Sequence, residues 1–227
     1  MTQPNISRNP CPLCHTLGAN VLHRDPQRSY LVCRVCNLVF VPSEYLLSPE
    51  KEKAEYDLHR NDPDDQEYRQ FLNRLFSPML KQLNPGSHGL DFGSGPGPTL
   101  SIMFEEAGHK MTVYDHFYAN DPAALDENYD FITATEVVEH LHEPRKELDY
   151  LWTHLNPGGR FGIMTKLVLG PEEFKKWHYK NDLTHVCFFS ESTFKWLANL
   201  WRAKLTFLGT DVIIFNKSNP APDPKPR

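Results

Sequence analysis

The sequence predicts an α/β fold in which a small N-terminal metal-binding module precedes a mostly parallel sheet. Three observations predict it: two C-x2-C pairs near the N-terminus, a glycine-rich loop between a strand and a helix, and an acid that ends the next strand. The chain has 227 residues, 40% of them hydrophobic, and a formal net charge of −5. This composition is typical of a globular protein with one main core.

Four of the five cysteines form two C-x2-C pairs separated by eighteen residues: Cys11, Cys14, Cys33 and Cys36. The spacing is typical of zinc ribbons, in which four thiolates hold a tetrahedral Zn²⁺. Two disulfides are the alternative, which a cytoplasmic location disfavours. Because four thiolates leave no open coordination position, the predicted zinc is structural. Strands are expected at 21–23, 30–32 and 38–41.

The segment from Glu44 to Arg60 is polar and acidic, which is typical of a linker or of a lid packed over the later domain. A helix follows, with Asp62 as its predicted N-cap and Pro63 as its first helical residue. Apolar side chains then recur at helical spacing and predict a buried stripe. Pro78 is expected to kink or break the helix near its end.

The glycine-rich loop is the run from Asp91 to Pro98, Asp-Phe-Gly-Ser-Gly-Pro-Gly-Pro. A strand is predicted before it at 88–92 and a helix after it at 99–107, with Gly108 as the stop. Glycines in this position let a ligand approach bare backbone N–H groups at a helix N-terminus.

A second strand, 110–114, ends in Asp115, about 20 residues past the first glycine, where dinucleotide folds place an acid on ribose hydroxyls. A pyridine dinucleotide is disfavoured, because Pro98 stands where the third glycine belongs and no basic residue lies nearby to meet a pyrophosphate. The loop therefore indicates a nucleoside site.

The glycine loop, Asp115 and the segment Tyr-Asp-Phe-Ile-Thr-Ala-Thr-Glu-Val-Val-Glu-His-Leu at 129–141 together resemble the class I S-adenosylmethionine-dependent methyltransferases, over roughly residues 87–215. The resemblance implies a Rossmann-like sheet with a terminal antiparallel hairpin. It also implies three sets of cofactor contacts. Asp91, Gly93, Gly95 and Gly97 would surround the methionine moiety, Asp115 would bind the ribose, and Thr135 and Glu136 would lie beside the sulfonium. Glu136 as a helix-capping acid is the alternative for that residue.

Family members usually place a helix and a third strand between Asp115 and Asp130, where this chain has little room. Phe117 and Ala119 are the only candidates for adenine contact. The remaining elements are a strand at 129–134, a helix at 144–155, a strand at 159–165, a helix at 191–201 and strands at 204–208 and 211–215. We divide the chain into a zinc ribbon (1–42), a linker or lid with a helix (43–84), a methyltransferase domain (85–217) and a disordered proline-rich tail (218–227).

The connection 166–186 is expected to line the substrate opening. It contains Trp-His-Tyr-Lys-Asn-Asp-Leu-Thr-His at 177–185. His185 is the first candidate for a general base or substrate contact and Tyr179 the second, with His178 and Asp182 behind them. The alternative is a histidine satisfied within the core.

A second metal site formed by His178, Asp182 and His185 with His140 or His142 is a further, weaker hypothesis. Cys187 is expected to be a small buried hydrophobe.

Methyl transfer to a small metabolite is the favoured function, because the charge is acidic and the segment after the fourth strand is similar to small-molecule methyltransferases. RNA methylation stays open as the alternative, since Cys-Pro-Leu-Cys-His at 11–15 resembles ribosomal-RNA guanine methyltransferases and the ribbon carries Arg8, Arg24, Arg28 and Arg34. Solvated surface arginines are the simpler interpretation of that charge. A non-catalytic zinc adaptor is the third possibility. No membrane segment or signal peptide is evident, which predicts a cytoplasmic protein.

Overall fold

The structure is a computed structural model that describes residues 9–58 and 61–219. Arg8 and most of the predicted proline-rich tail lie outside the described residues. Within these ranges, no helix has the length and apolar character needed to span a bilayer. The helices are α1 Pro49–Tyr56, α2 Gln66–Leu80, α3 Thr99–Glu106, α4 Ala123–Asp126, α5 Pro144–His154, α6 Pro171–Lys176 and α7 Glu191–Trp201. The strands are β1 Asn20–Arg24, β2 Ser29–Val32, β3 Val39–Phe40, β4 His88–Phe92, β5 Lys110–Tyr114, β6 Tyr129–Thr135, β7 Leu155–Met164, β8 Cys187–Phe188, β9 Lys204–Leu208 and β10 Val212–Asn216.

The larger sheet has the strand order β5-β4-β6-β7-β10-β9. Strands β5, β4, β6 and β7 are parallel, whereas β10 runs antiparallel to both β7 and β9. The predicted terminal hairpin is therefore confirmed. Because successive strand residues point to opposite faces, Phe131 packs with α2 and α3 on one side and Ile132 with α5 on the other.

The segment between β5 and β6 holds only the short helix α4, so β5 is the edge of the sheet in the described part of the chain. This agrees with the expectation that the connection is too short for a further strand. The carboxyl ends of β4, β5 and β6 still lie side by side, which is the edge where ligands bind in parallel α/β sheets.

The expected start of the helix before the glycine loop is wrong. Helix α2 begins at Gln66, and its N-cap is Asp65, whose side chain accepts hydrogen bonds from the backbone N–H groups of Glu67 (2.9 Å) and Tyr68 (3.2 Å). Asp62 instead closes a turn by accepting from the Asp64 N–H at 2.9 Å. Pro78 lies in the last turn of α2, and the helix ends two residues later, at Leu80.

Strand β7 begins at Leu155, earlier than expected. Its pairing with β6 jumps from Tyr129↔Leu155 to Phe131↔Arg160, so the turn 156–159 bulges out of a strand that has already started.

The smaller sheet joins the N-terminal segment to the rest of the molecule. Its order is β1-β2-β3-β8, and β8 comes from the segment just after His185. Phe40 pairs with Cys187, and the Val41 N–H donates to the Val186 carbonyl at 3.0 Å. The predicted connection 166–186 thus leads into a strand that the sequence did not reveal. Cys187 is buried, as expected.

Candidate active site

One cavity of about 1160 Å³ opens at the carboxyl ends of the parallel strands. It extends from the glycine loop to the segment before β8. Its lining includes most of the predicted site residues: Asp91, Gly93, Gly95, Gly97, Asp115, Thr135, Glu136 and His185. Tyr179 does not line it and lies just behind Glu136, with its hydroxyl 3.3 Å from Glu136 Oε2. Phe117 lines the cavity, whereas Ala119 lines a separate, smaller depression.

Asp115 is locked to the glycine loop by backbone hydrogen bonds. Its Oδ2 accepts from the Gly95 N–H at 2.9 Å, and its Oδ1 accepts from the N–H groups of Phe117 (2.8 Å) and Tyr118 (3.1 Å). Gly93 and Gly95 have φ values of +75° and +66°, a region that side chains disfavour. The acid at the end of β5 is therefore joined directly to the loop after β4 by the hydrogen bond from Gly95.

Asp91 is buried beneath this loop. Its Oδ1 accepts from the Thr133 hydroxyl at 2.7 Å and its Oδ2 from the Ser101 hydroxyl at 3.2 Å. Burial raises the pKa of Asp91 to about 6. Desolvation disfavours the ionised form, so a cationic ligand group beside Asp91 would lower that pKa again.

Gly97 packs so closely against Asn61 that a side chain would not fit. A Cβ atom at this position would lie 1.9 Å from the backbone oxygen of Asn61, which also accepts a hydrogen bond from the Thr99 hydroxyl at 3.2 Å. The side-chain nitrogen of Asn61 would lie 2.7 Å from a Cβ at Gly95. Asn61, in the segment that leads into α2, therefore packs against the glycine loop.

A second group of acids lies at the other end of the cavity. Glu139 is fully buried, and its Oε1 makes a short hydrogen bond with the Tyr179 hydroxyl. Burial and the neighbouring carboxylate of Glu136 raise the pKa of Glu139 to about 8. Thr135 Oγ1, Glu136 Oε1 and Glu139 Oε2 have no hydrogen-bond partner among the described residues. Buried polar atoms without a hydrogen-bond partner are uncommon in folded proteins, so these three atoms favour the binding of a polar ligand at this end of the cavity.

Two histidine rings lie edge to face beside these acids. The rings of His140 and His185 lie 4.6 Å apart, centroid to centroid. His185 Nδ1 lies 2.7 Å from the Tyr179 carbonyl oxygen and His140 Nδ1 lies 3.2 Å from that of Thr184. Because a carbonyl oxygen only accepts, both Nδ1 atoms carry the proton in these hydrogen bonds. Burial lowers the pKa of His185, so its ring is neutral near pH 7.

A family model described as a methyltransferase domain matches residues 58–201 of this chain. The match covers more than half of the chain and includes both ends of the cavity. The chain belongs to this methyltransferase domain family.

Several solved methyltransferases resemble the chain at low sequence identity, and one of them, with a TM-score above 0.5, shows the shared fold. The 1,6-didemethyltoxoflavin-N1-methyltransferase of Burkholderia thailandensis, with 1,6-didemethyltoxoflavin and S-adenosylhomocysteine bound, is 15% identical, with a TM-score of 0.53 and coverage of 87% of this chain and 98% of that one. An O-methyltransferase family protein of the same organism is 12% identical, with a TM-score of 0.46 and coverage of 75% and 64%. The N-methyltransferase NodS of Bradyrhizobium japonicum is 15% identical, with a TM-score of 0.43 and coverage of 70% and 100%. No curated protein sequence matches the chain.

The mixed α/β architecture with its central parallel sheet is typical of class I methyltransferases, which confirms the predicted fold class. At 15% identity, the likeness to the 1,6-didemethyltoxoflavin-N1-methyltransferase shows the shared fold alone.

The grouping in the weaker second-metal hypothesis is correct for His140 and His185, which the structure brings together, but not for His178, Asp182 or His142. His178 is exposed, with its Nε2 3.2 Å from Lys166 Nζ, and His142 Nε2 lies 2.8 Å from Glu52 Oε1 on α1. The ligand atoms that the fold does bring within 4.8 Å of one another belong to Glu139, His140 and His185. Glu139 was missed because its sequence context reads equally well as the turn that follows a strand.

Arg28 of the methyltransferase is not a solvated surface arginine. Its side chain is only 3% exposed, and the guanidinium donates to three backbone carbonyls in the segment that carries His185. The acceptors are Lys180 O at 2.7 Å, Asp182 O at 2.7 Å and Leu183 O at 3.1 Å. Arg28 Nε also donates to the Tyr30 hydroxyl at 3.0 Å. No local sequence signal distinguishes Arg28 from the exposed Arg24.

The four N-terminal cysteines form a second site, outside the cavity. Their sulfur atoms all lie within 4.8 Å of one another, with Sγ–Sγ distances of 3.5 Å for one pair and 3.3 Å for the other: Cys11 with Cys36 and Cys14 with Cys33. A tetrahedral ion with bonds of about 2.3 Å separates its sulfur ligands by roughly 3.8 Å. Each knuckle ends in a left-handed residue, His15 (φ +59°) or Asn37 (φ +57°). The N–H of each donates to the carbonyl of the cysteine four residues earlier. The two halves therefore match each other and fit a small zinc module.

Proposed function

We propose that this methyltransferase transfers the methyl group of S-adenosylmethionine to a small-molecule metabolite. The observation that carries the proposal is the acidic cavity at the carboxyl ends of the parallel strands. Lys146 is the only lysine or arginine among its described lining residues, whereas six acids line it: Glu52, Asp91, Asp115, Glu136, Glu147 and Asp182. A negative, partly enclosed site favours a ligand with a cationic sulfur and an ammonium group.

The cofactor end of the proposed site is the glycine loop. Asp115, held by three backbone N–H groups, keeps lone pairs for the ribose hydroxyls, and Asp91 lies below the loop for the methionine amino group. Thr135 and Glu136 border the position of the sulfonium. When bound, S-adenosylmethionine supplies an electrophilic methyl carbon, so the protein has mainly to orient an acceptor in line with it. Phe117 is the nearest aromatic candidate for the adenine.

The acceptor end is the proposed position of the substrate. His185 lines it with a neutral ring whose Nε2 keeps a lone pair, so this residue is the proposed contact for an acceptor proton. Tyr179 is a positioning residue, since its carbonyl fixes the His185 ring and its hydroxyl bonds the two glutamates. The cavity volume exceeds the roughly 300–1,000 Å³ of common ligand sites and leaves room for a cofactor and a small acceptor together.

We further propose that the cysteine cluster binds one structural Zn²⁺ and that the protein works in a reducing compartment such as the cytoplasm, which keeps these thiols available. The ribbon's position favours a structural role over RNA contact, because its buried arginine faces the molecule's own loop. RNA methylation is the outcome against which the metabolite proposal has to be tested.

Calorimetry with S-adenosylhomocysteine tests the cofactor site. Asp115→Ala is expected to weaken binding at least roughly tenfold, because hydrogen bonds to a charged group contribute about 1.5–3 kcal/mol. The control is Asp121→Ala, which removes an exposed acid from the same connection outside the cavity. Equal affinity in both variants, or no binding to the unmodified protein, contradicts the proposal.

The substrate class is tested in a deletion strain by comparing methylated metabolites and methylated nucleosides with the parent. Loss of a small methylated metabolite with an unchanged RNA methylation profile supports the proposal. Loss of a modified nucleoside in ribosomal or transfer RNA would replace it with the RNA alternative.

A further inference from the structure

Three potential metal ligands converge at the acceptor end of the cavity. One ligand atom each from Glu139, His140 and His185 lies within 4.8 Å of the others. The elements that bring them together are the turn after β6 and the segment before β8, which are joined by the hydrogen bond from the Val186 N–H to the Glu139 carbonyl at 2.8 Å. The grouping therefore rests on the backbone of both segments.

Both imidazoles are held in the form that binds a metal. His140 and His185 each direct Nδ1 at a backbone carbonyl, so Nε2 is the nitrogen with the lone pair. Metal-binding histidines commonly donate their other ring N–H to a carbonyl or carboxylate in this way, which fixes both tautomer and ring orientation.

Glu139 supplies a carboxylate with a free acceptor. Its side chain is fully buried, one oxygen bonds to Tyr179, and Oε2 has no hydrogen-bond partner in the described part of the chain. A buried, unsatisfied carboxylate oxygen is costly, and coordination to a cation removes that cost. Glu136 lies on the same side, since the Tyr179 hydroxyl is also 3.3 Å from Glu136 Oε2. No lysine or arginine side chain within the described ranges makes an ion pair with Glu139 that would take the cation's place.

We propose that Glu139, His140 and His185 bind a divalent transition-metal ion whose open coordination positions face the cavity. Two imidazoles and one carboxylate suit ions such as Mn²⁺, Fe²⁺ or Zn²⁺. His140 and His185 line the cavity and Glu139 stands behind them, so a ligand reaches such an ion from the cavity side. A role for the ion in holding an oxygen or nitrogen of the methyl acceptor rests on the proposed function. In that role, His185 would contact the acceptor through the ion. The binding of the ion does not rest on it.

Titration with Mn²⁺ tests the site in protein that retains its ribbon metal. Mn²⁺ prefers oxygen and nitrogen ligands and does not displace zinc from four thiolates. Electron paramagnetic resonance of free Mn²⁺ follows binding, with Zn²⁺ as a competitor. The expected result is one saturable Mn²⁺ site per chain that Zn²⁺ competes for. Glu139→Gln and His140→Gln should each weaken it at least about tenfold, since even outer-sphere partners contribute that much.

The control is His178→Gln, a histidine of the same segment outside the cluster, which should leave Mn²⁺ affinity unchanged. If Glu139→Gln does not fold, His140→Gln carries the test. The proposal is overturned if neither metal binds saturably beyond the ribbon site, or if the variants bind like the unmodified protein. S-adenosylhomocysteine binding, measured on the same samples, shows separately whether the proposed function stands.

Discussion

Replacing Arg28 by alanine removes the buried guanidinium that joins the N-terminal sheet to the segment carrying His185. Four hydrogen bonds disappear, to the carbonyls of Lys180, Asp182 and Leu183 and to the Tyr30 hydroxyl. Hydrogen bonds to a charged group contribute about 1.5–3 kcal/mol each, but they are not additive, and truncating one partner of a buried charged network costs about 3–5 kcal/mol. We therefore expect a loss of about 3–5 kcal/mol in the free energy of unfolding.

Urea denaturation of the zinc-loaded protein measures this loss, and a thermal melt should show Tm lowered by roughly 10 °C. The matched control is Arg24→Ala, an exposed arginine in the neighbouring strand, which should change stability by at most about 0.5 kcal/mol. Hydrogen exchange gives a local readout, because the backbone amides of 180–185 should lose protection before the large sheet does.

Affinity for S-adenosylhomocysteine should change little in the folded Arg28 variant, since Arg28 contacts none of the residues at the glycine loop. A variant as stable as Arg24→Ala, with unchanged exchange in 180–185, would refute the reasoning that this arginine clamps the segment. Arg28 would then contribute mainly through packing, and water would replace its hydrogen bonds in the variant.

Three further predictions concern other sites. Cys36→Ser should lower the zinc content below one ion per chain, as measured by mass spectrometry of the metal, and should unfold the ribbon, since structural zinc supplies on the order of 10 kcal/mol. S-adenosylmethionine affinity should fall roughly tenfold as the pH is lowered from about 8 to 5. The reason is that the cationic ligand favours ionised Asp91, whose pKa is about 6 in the ligand-free protein. Calorimetry should find a weaker pH dependence of the affinity in Asp91→Asn. Gly97→Ala should cost about 1–3 kcal/mol in urea denaturation, because the new Cβ would overlap the Asn61 carbonyl, and wild-type stability would contradict the packing of Asn61 over the loop.

The glycine loop and its position beside Asp115 could be predicted from the sequence because their geometry depends on residues close together in the chain. A strand, a positive-φ glycine and a helix start within ten residues determine where the backbone N–H groups point, and the next strand has to end at the same edge of the sheet. The two cysteine knuckles were readable for the same reason. The start of α2 was misplaced because Asp62 and Asp65 both have the chemistry of a cap, and only the observed hydrogen bonds distinguish them.

Contacts between segments that are far apart in the chain could not be predicted from the sequence. Arg28 looks like any surface arginine until the chain places residues more than 150 positions away against it. Strand β8 has only two residues, so it carries no periodicity, and it becomes a strand only by pairing with β3.

By itself, the sequence determined the α/β sheet with its terminal hairpin, the glycine loop beside the acid that ends the next strand, and the clustering of four thiols, since each follows from short-range patterns of strand, turn and ligand spacing. The tertiary structure alone decided that the ribbon is anchored to the acceptor end of the cavity, that Asn61 covers the glycine loop, and that Glu139 meets His140 and His185. The physical reason is that burial, desolvation and hydrogen bonding at these positions depend on which surfaces meet, and the residues that meet there are separated by up to about two-thirds of the chain.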